Sequence, residues 1–267
     1  MPTALITGAS AGLGTHFALA LAKRGYDLIL VARRGDRLEQ LARVVRERHG
    51  VAAHVIPADL GKKTAAAKLV EAVGAQGLTV DLLVNNAGFG ARGSFAELDR
   101  AMQARMIDVN CRALMELAHA FLPDMLARRS GAILNVASTA AFQPGPWMAV
   151  YYATKAFVLS FSEALHEEVK DRGVRVTALC PGPTRTEFAG VARMDDSDLF
   201  RRFSGAPEKV VADGLKALDA GRAVAVSGGL NKLMAGSIRF TPRGLARRIA
   251  GSLQKTRASG RPSDPDG

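Results

Sequence analysis

Between residues 4 and 226 the chain repeatedly rises into short apolar runs: ALIT (4–7), DLILVA (27–32), VAAHVIP (51–57), a stretch within 78–88, GAILNVAS (131–138), VRVTALC (174–180) and RAVAV (222–226). Most are apolar throughout rather than at alternate positions, which suits strands buried on both faces. Helical stretches separate them, over 13–24, 36–48, 109–127 and 149–171; in the second, Leu38, Leu41, Val44 and Val45 recur at helical spacing. Strand and helix in alternation predict a doubly wound α/β fold, a parallel sheet of about seven strands with helices on both faces. With 267 residues and 48% apolar content, one large core is within reach. No internal linker or repeat divides the chain, so residues 1–228 are expected to form a single domain.

Several function classes recede on composition. No stretch approaches the ~18 apolar residues of a membrane span, and the N-terminal MPTALITGAS lacks the basic region of a secretion signal. Cys111 and Cys180 stand far apart and outside any metal-like spacing, so no metal site is expected and a reducing cytoplasm fits best. The net charge of +11 raises nucleic acid or an anionic membrane as partners. Its excess is concentrated: residues 222–257 carry eight Lys/Arg and no Asp/Glu. Aromatic and basic residues do not interleave there as they do in base-stacking surfaces, which disfavours nucleic acid. The final stretch, TRASGRPSDPDG (256–267), has the composition of a disordered tail.

The first strand runs into TGASAGLG, with Gly8, Ser10, Gly12, Leu13 and Gly14 at the turn into the first helix. Glycines let a backbone turn sharply and approach a phosphate, with helix N-terminal amides facing the anion. The spacing is GxxxGxG rather than the common GxGxxG. In NAD enzymes of this architecture an acidic residue at the end of the second strand takes the ribose 2′-hydroxyl. Here that place holds Ala32, followed by Arg33 and Arg34. Guanidinium groups suit a phosphate, so Arg33, and with less force Arg34, point to NADP(H).

Residues 150–157 read VYYATKAF. A tyrosine near a lysine can serve as a proton donor, because the ammonium stabilises the phenolate. Tyr151 and Tyr152 stand four and three residues before Lys155, and both spacings share a helix face. Helical geometry therefore leaves both tyrosines open.

The ordered series of motifs resembles the short-chain dehydrogenase/reductase family, in its short single-domain branch with a Rossmann-like fold, over roughly residues 3–227. TGASAGLG matches the family's TGxxxGxG, Asp59-Leu60 the pair after strand three, and Asn85-Asn86-Ala87-Gly88 its NNAG. Asn110, Ser138, Tyr151 to Lys155 and Pro181-Gly182 follow in order. The resemblance implies that Tyr151 is the general acid or base and that Lys155 holds the nicotinamide ribose and lowers the tyrosine's pKa from near ~10. It implies that Ser138 bonds the substrate oxygen, that Asn110 completes a proton relay through water, and that Thr184 contacts the nicotinamide carboxamide. Asp59 would read adenine, with Leu60 beside it, and Asn85, Ala87 and Gly88 would line the adenosine side. Each has a plainer role when taken singly: Ser138 as a turn cap, Asp59 as a cap after Gly61, Asn85-Asn86 and Pro181-Gly182 as turns.

Two regions depart from the family. Its common VDGG ending is replaced by RAVAVSGGLNKLMAGSIRFTPRGLARR, which puts the usual tetramer in doubt. Leu230, Leu233, Met234, Ile238, Leu245 and Ile249 lie among these basic residues, so 229–255 is expected to pack on the domain or form an oligomer contact rather than to bind a membrane weakly. After strand six, Phe188, Val191, Met194, Leu199, Phe200 and Phe203 fit a lid over a moderately apolar carbonyl compound.

The expected activity is hydride transfer between NADP(H) and a small-molecule carbonyl or alcohol, in a cytoplasmic homo-oligomer, dimer or tetramer. The alternatives are a 3-oxoacyl-carrier-protein reductase, whose acidic carrier suits the basic surface, and a non-catalytic NADP-binding regulator, against which the complete Ser–Tyr–Lys set speaks.

Overall fold

Strands that offer apolar side chains on both faces need cover on both, and the computed structural model shows how this chain supplies it. It describes residues 1–184, 205–238 and 240–254, residues 253 and 254 without their side chains. The strands are β1 Thr3–Thr7, β2 Asp27–Ala32, β3 Ala53–Pro57, β4 Leu82–Asn85, β5 Gly131–Val136, β6 Val174–Cys180 and β7 Val224–Val226. They form one parallel sheet in the order β3-β2-β1-β4-β5-β6-β7. Nine α-helices are described: α1 Gly12–Lys23, α2 Gly35–His49, α3 Ala65–Ala75, α4 Arg100–Ile107, α5 Ala113–Ala127, α6 Ala149–Val169, α7 Pro207–Asp219, α8 Gly229–Ile238 and α9 Arg243–Gln254.

The pleat sorts neighbouring residues onto opposite layers. Ala4 and Ile6 of β1, with Leu28 and Leu30 of β2, pack against Phe17 and Leu21 of α1, Leu38 and Val45 of α2, and Val211 and Leu215 of α7. Leu5, Ile29 and Val31 from the same strands pack against Leu69 of α3, Leu117 of α5 and Leu165 of α6. Each fully buried Leu, Ile or Val contributes about 1.5–3 kcal/mol of transfer free energy. Uninterrupted apolar strands are therefore what a double-sided sheet needs, and the expected architecture is found.

The strand order reverses at β1, which pairs with β2 on one side and β4 on the other. In such sheets a crevice opens beyond the carboxyl ends of the strands at the reversal. Two bolts hold its floor. The Thr7 hydroxyl accepts hydrogen bonds from the Asn86 and Ala87 amides, both at 3.0 Å, and the Asn86 side chain donates to the Thr7 carbonyl at 2.8 Å.

Several expected boundaries shift. The third strand begins at Ala53 rather than 51, and the seventh is the three residues Val224–Val226. The helix expected from 109 starts at Arg100, where Asp99 caps it by accepting from the Met102 amide at 2.6 Å. It then passes through a π-helical turn, Asp108–Arg112, before continuing as α5. Such one-turn insertions often occur at functional sites, and this one holds Asn110. Beyond the sheet, α8 and α9 fold back onto the domain: a side chain at Gly182 would meet Asn231 of α8, and one at Gly251 would touch Pro146. Among the described residues no helix is long and apolar enough to cross a membrane. The proposed lid residues Phe188, Val191, Met194, Leu199, Phe200 and Phe203, and the tail 256–267, lie outside the described residues.

Two glycines test this packing in opposite directions. A Cβ on Gly14 would fall 2.2 Å from the Gly8 carbonyl oxygen, whereas Gly74 in α3 has open space around it. Gly14→Ala is expected to destabilise the fold by roughly 1–3 kcal/mol, the usual cost of forcing atoms into a packed site. Gly74→Ala should stabilise it by about 0.4–1 kcal/mol through lost unfolded-state freedom and better helix propensity. Urea or thermal unfolding of the two variants measures both.

Candidate active site

A single cavity of about 560 Å³ lies over the carboxyl ends of the strands, and most of the residues singled out in the sequence line it. At one end is the glycine turn. Gly8 and Gly12 have φ of +68° and +56°, a left-handed conformation open to glycine at little cost. Ala11 precedes α1 without a side-chain cap, so the helix's first amide donors are not taken up locally. Ser10, Gly12 and Leu13 face the cavity. Gly14 does not line it; instead it lets α1 pack onto the turn.

Arg33 and Arg34 border the same end, just past β2. The Arg34 guanidinium reaches back to the Ser10 hydroxyl at 3.3 Å, linking the end of β2 to the glycine turn. Asp59 and Leu60 line the wall after β3. Asp59 accepts from the Gly61 amide at 3.1 Å, the capping contact that its position after β3 allows, and from Arg105 Nη2 at 2.7 and 2.8 Å. Burial works to raise its pKa, but the Gly61 amide, Arg105 and the Arg33 charge together hold it below the usual carboxylate value.

One expected lining residue is displaced. Asn85 is 2% exposed and points into the sheet, donating to Asn135 Oδ1 at 3.0 Å, while Asn135 donates to Ser162 at 2.9 Å. The chain leaves β4 at that residue, so its successors Asn86, Ala87 and Gly88 face the cavity. The expectation that Asn85 lines this cavity is therefore corrected: Asn86 takes that place. Both asparagines stand in the same motif, and only the strand's end decides between them.

At the other end, Ser138 follows β5 and accepts from the Ala140 amide at 3.1 Å as the cap of a short 3-10 turn. A hydrogen bond joins it to Tyr151. Tyr151 and Lys155, one turn apart on α6, are buried, and both line the cavity. The Lys155 ammonium donates to the Val136 carbonyl at 2.8 Å and lies 5.9 Å from the Tyr151 ring centre. Tyr152 also reaches the cavity, edge-on to Tyr151 with ring centres 6.0 Å apart. Its ring fills the space beside Gly145, where a Cβ would stand 2.3 Å from it.

Electrostatics here differ from the expectation that Lys155 lowers the tyrosine's pKa. Burial pushes the Tyr151 phenol well above its ordinary value, and the Ser138 hydrogen bond offsets only part of this. Burial also brings Lys155 down to about 8. A phenol removed from water resists ionisation more than a cation at this distance favours it. Tyr151 thus holds its proton throughout the neutral range.

Asn110 does not itself line the cavity. Its side chain closes a ring of bonds, accepting from the Phe89 amide and donating to the Phe89 carbonyl and the Thr154 hydroxyl, all at 3.0 Å. The Thr154 hydroxyl in turn donates to the Tyr151 carbonyl at 2.7 Å. A Cβ on Gly88 would stand 3.0 Å from Asn110 Oδ1 and 3.5 Å from Lys155 Nζ. Glycine at that position keeps open the space between the amide oxygen and the ammonium.

Pro181, Gly182 and Thr184 complete the floor after β6. The Pro181 carbonyl accepts from the Thr139 amide at 2.8 Å, and the Thr184 hydroxyl donates to the Gly182 carbonyl at 2.9 Å. Sequence reasoning missed three contributors. Thr7 opens the TGASAGLG motif, but its hydroxyl's bonds to the residues after β4 were not foreseen. Arg105 meets Asp59 only in the folded state, 46 residues away in sequence. Met234, Ile238, Ala246 and Ile249 of α8 and α9 form an apolar wall over the Tyr152 end. Their alternation with basic residues was visible, but their target was not.

The chain matches the short chain dehydrogenase family over residues 2–197. A duck (Anas platyrhynchos) very-long-chain 3-oxoacyl-CoA reductase is 36% identical over 197 residues, covering 71% of this chain. The chain spans only 62% of that relative's length. Among solved structures, a short-chain dehydrogenase from Sphingobium yanoikuyae in complex with NADPH superposes with a TM-score of 0.82 at 32% identity, covering 98% of this chain and 99% of the other. The bulky-bulky ketone specific alcohol dehydrogenase from Comamonas testosteroni gives 0.77 at 30% identity, covering 98% and 97%. Together with the ordered motifs and the seven-stranded sheet, these matches establish that the chain belongs to the short-chain dehydrogenase family.

Proposed function

We propose that this protein is an NADP(H)-dependent oxidoreductase that interconverts a bulky, largely apolar carbonyl compound and its alcohol. The observation that carries this reading is one cavity bounded by the glycine turn at one end and the Ser138–Tyr151–Lys155 cluster at the other. The residues fit the cofactor. Left-handed glycines and free helix amides suit a pyrophosphate, and Arg33 with Arg34 suits a 2′-phosphate where an NAD enzyme would place a carboxylate. Asp59, Leu60, Asn86, Ala87 and Gly88 are assigned to the adenosine side, and Pro181, Gly182 and Thr184 to the nicotinamide side. When bound, NADP(H) supplies or accepts the hydride.

The protein's own residues handle the oxygen. Ser138 and Tyr151 would hydrogen-bond the carbonyl oxygen together, stabilising the charge that develops on it. Tyr151, kept protonated by burial, then donates its proton in reduction and receives it back in oxidation. Lys155 is placed to hold ribose hydroxyls and to stabilise the phenolate left after donation. Asn110 shapes the space beside Lys155 through which a proton can be returned. Met148, Tyr152, Met234, Ile238 and Ile249 offer a mainly apolar wall to the substrate, in keeping with the bulky ketones named for the Comamonas testosteroni enzyme.

A second reading, reduction of a 3-oxoacyl thioester, is favoured by the name of the duck relative and by the basic residues of α9. We further propose a cytoplasmic homo-oligomer, dimer or tetramer. Supporting observations are two buried free thiols, Cys111 and Cys180, and the exposed apolar side chains Ile107 of α4, Met115 of α5 and Phe157 of α6. For residues 229–255 the cavity-lining Met234, Ile238 and Ile249 support a role as a wall of the same domain, while the exposed Leu230, Leu233 and Leu245 leave apolar surface for an oligomer contact.

A carbonyl panel of bulky aryl and alicyclic ketones, short aldehydes and 3-oxoacyl thioesters, read by NADPH oxidation, tests the function. Turnover of the bulky ketones is expected to exceed that of short aldehydes, and thioesters as best substrates would select the second reading. On the best substrate, Tyr151→Phe should lower kcat by about 10²–10⁴-fold or more while NADPH still binds, and Tyr152→Phe should change kcat little; the opposite pattern would assign the proton to Tyr152. Because Lys155 loses its charge as pH rises through about 8, kcat/KM for NADPH should fall above that pH. A profile flat to pH 10 would contradict a role for its ammonium.

A further inference from the structure

Asp59 stands in a cavity end that is otherwise strongly positive. Arg33, Arg34 and Arg105 line the same end, and no other carboxylate does among the described residues. β2 and β3 run side by side, with Ala32 opposite Pro57 and the Ala58 amide donating to the Ala32 carbonyl at 2.9 Å. This brings Arg33 and Asp59 together beyond the two strand ends. Left to themselves, a guanidinium and a carboxylate so placed would pair, and the carboxylate would repel any phosphate bound beside it.

Arg105 intervenes. Its Nη2 reaches both Asp59 oxygens, at 2.7 and 2.8 Å. The arginine is held there by packing against Gly61, where a Cβ would stand 3.1 Å from its Cγ and Nε and 3.2 Å from its Cζ. The pair is partly exposed, at 39% and 23%, and partly exposed ion pairs add little to stability. Its consequence is local and electrostatic.

We infer that Arg105 is a positioning residue for NADP(H) selectivity: by occupying the Asp59 carboxylate it leaves Arg33 free to take the 2′-phosphate and cancels the nearest negative charge. This rests on the NADP(H) reading above. The same contact fixes the orientation of Asp59 toward an adenine, which both nicotinamide cofactors share. Loss of Arg105 therefore weakens both, but it weakens the phosphorylated one more.

The test is direct binding of NADPH and NADH by calorimetry, together with the apo-protein's unfolding midpoint. Arg105→Met should raise the NADPH Kd on the order of tenfold, the scale of one partly screened charge near a surface, and the NADH Kd clearly less, with the midpoint little changed. Arg105→Lys should keep the NADPH-to-NADH Kd ratio close to that of the parent. Adding Asp59→Asn to Arg105→Met should restore most of that ratio, since the charge to be cancelled is gone. Equal changes for the two cofactors, or no restoration by the second substitution, would overturn the inference while leaving the NADP(H) reading standing. A parent protein that binds no NADPH would overturn both.

Discussion

The site depends on how β1 and β4 are joined at the point where the strand order reverses. A parallel sheet leaves its carboxyl-end backbone groups without ladder partners, and here the Thr7 hydroxyl and the Asn86 amide satisfy several of them at once. That junction fixes the glycine turn against the residues after β4, because Gly8 and Gly14 leave no room for side chains between them and Asn86. The crevice is thus a product of close backbone approach rather than of a gap left by poor packing. Much of what faces it hangs from the ends of these strands: Arg33 and Arg34 after β2, Asp59 after β3, Ala87 and Gly88 after β4, and Ser138 after β5.

Burial decides the chemistry at the far end. An exposed tyrosine already keeps its proton near neutral pH, and burial of Tyr151 disfavours its ionisation further. Removing a phenol from water makes it a reserved donor, able to release its proton when a charge develops on the oxygen it touches. Burial lowers Lys155 too, so its charge depends on the partners available to it, the Val136 carbonyl among them. Tyr152 shares the burial but not the neighbours: its ring packs against Gly145 and narrows the cavity beside Tyr151.

Much of this was legible before folding was considered. Unbroken apolar strands demanded a sheet covered on both faces, and the glycine turn with Arg33 and Arg34 pointed to what is one end of the cavity. What stayed hidden has physical causes. Asn85 and Asn86 differ only in which lies within the strand, and strand ends are set by pairing with β1 and β5 rather than by local preference. The π turn around Asn110 adds a residue to a helix without a composition signal. Arg105 acquires meaning only by meeting Asp59 across the fold. The α8–α9 segment reads as basic and amphipathic, and its apolar residues divide on folding: Met234, Ile238 and Ile249 line the cavity, while Leu230, Leu233 and Leu245 stay exposed.

The central claim is that one cavity brings a hydride donor and the Tyr151 proton to the same carbonyl. It is tested most directly by incubating the protein with an apolar aryl ketone and NADPH carrying deuterium at the reactive face of C4, and analysing the alcohol by mass spectrometry. The account predicts an alcohol heavier by one mass unit, with the label on the carbinol carbon and a single configuration there. An unlabelled alcohol formed from the fully labelled cofactor, or a racemic one, would contradict it.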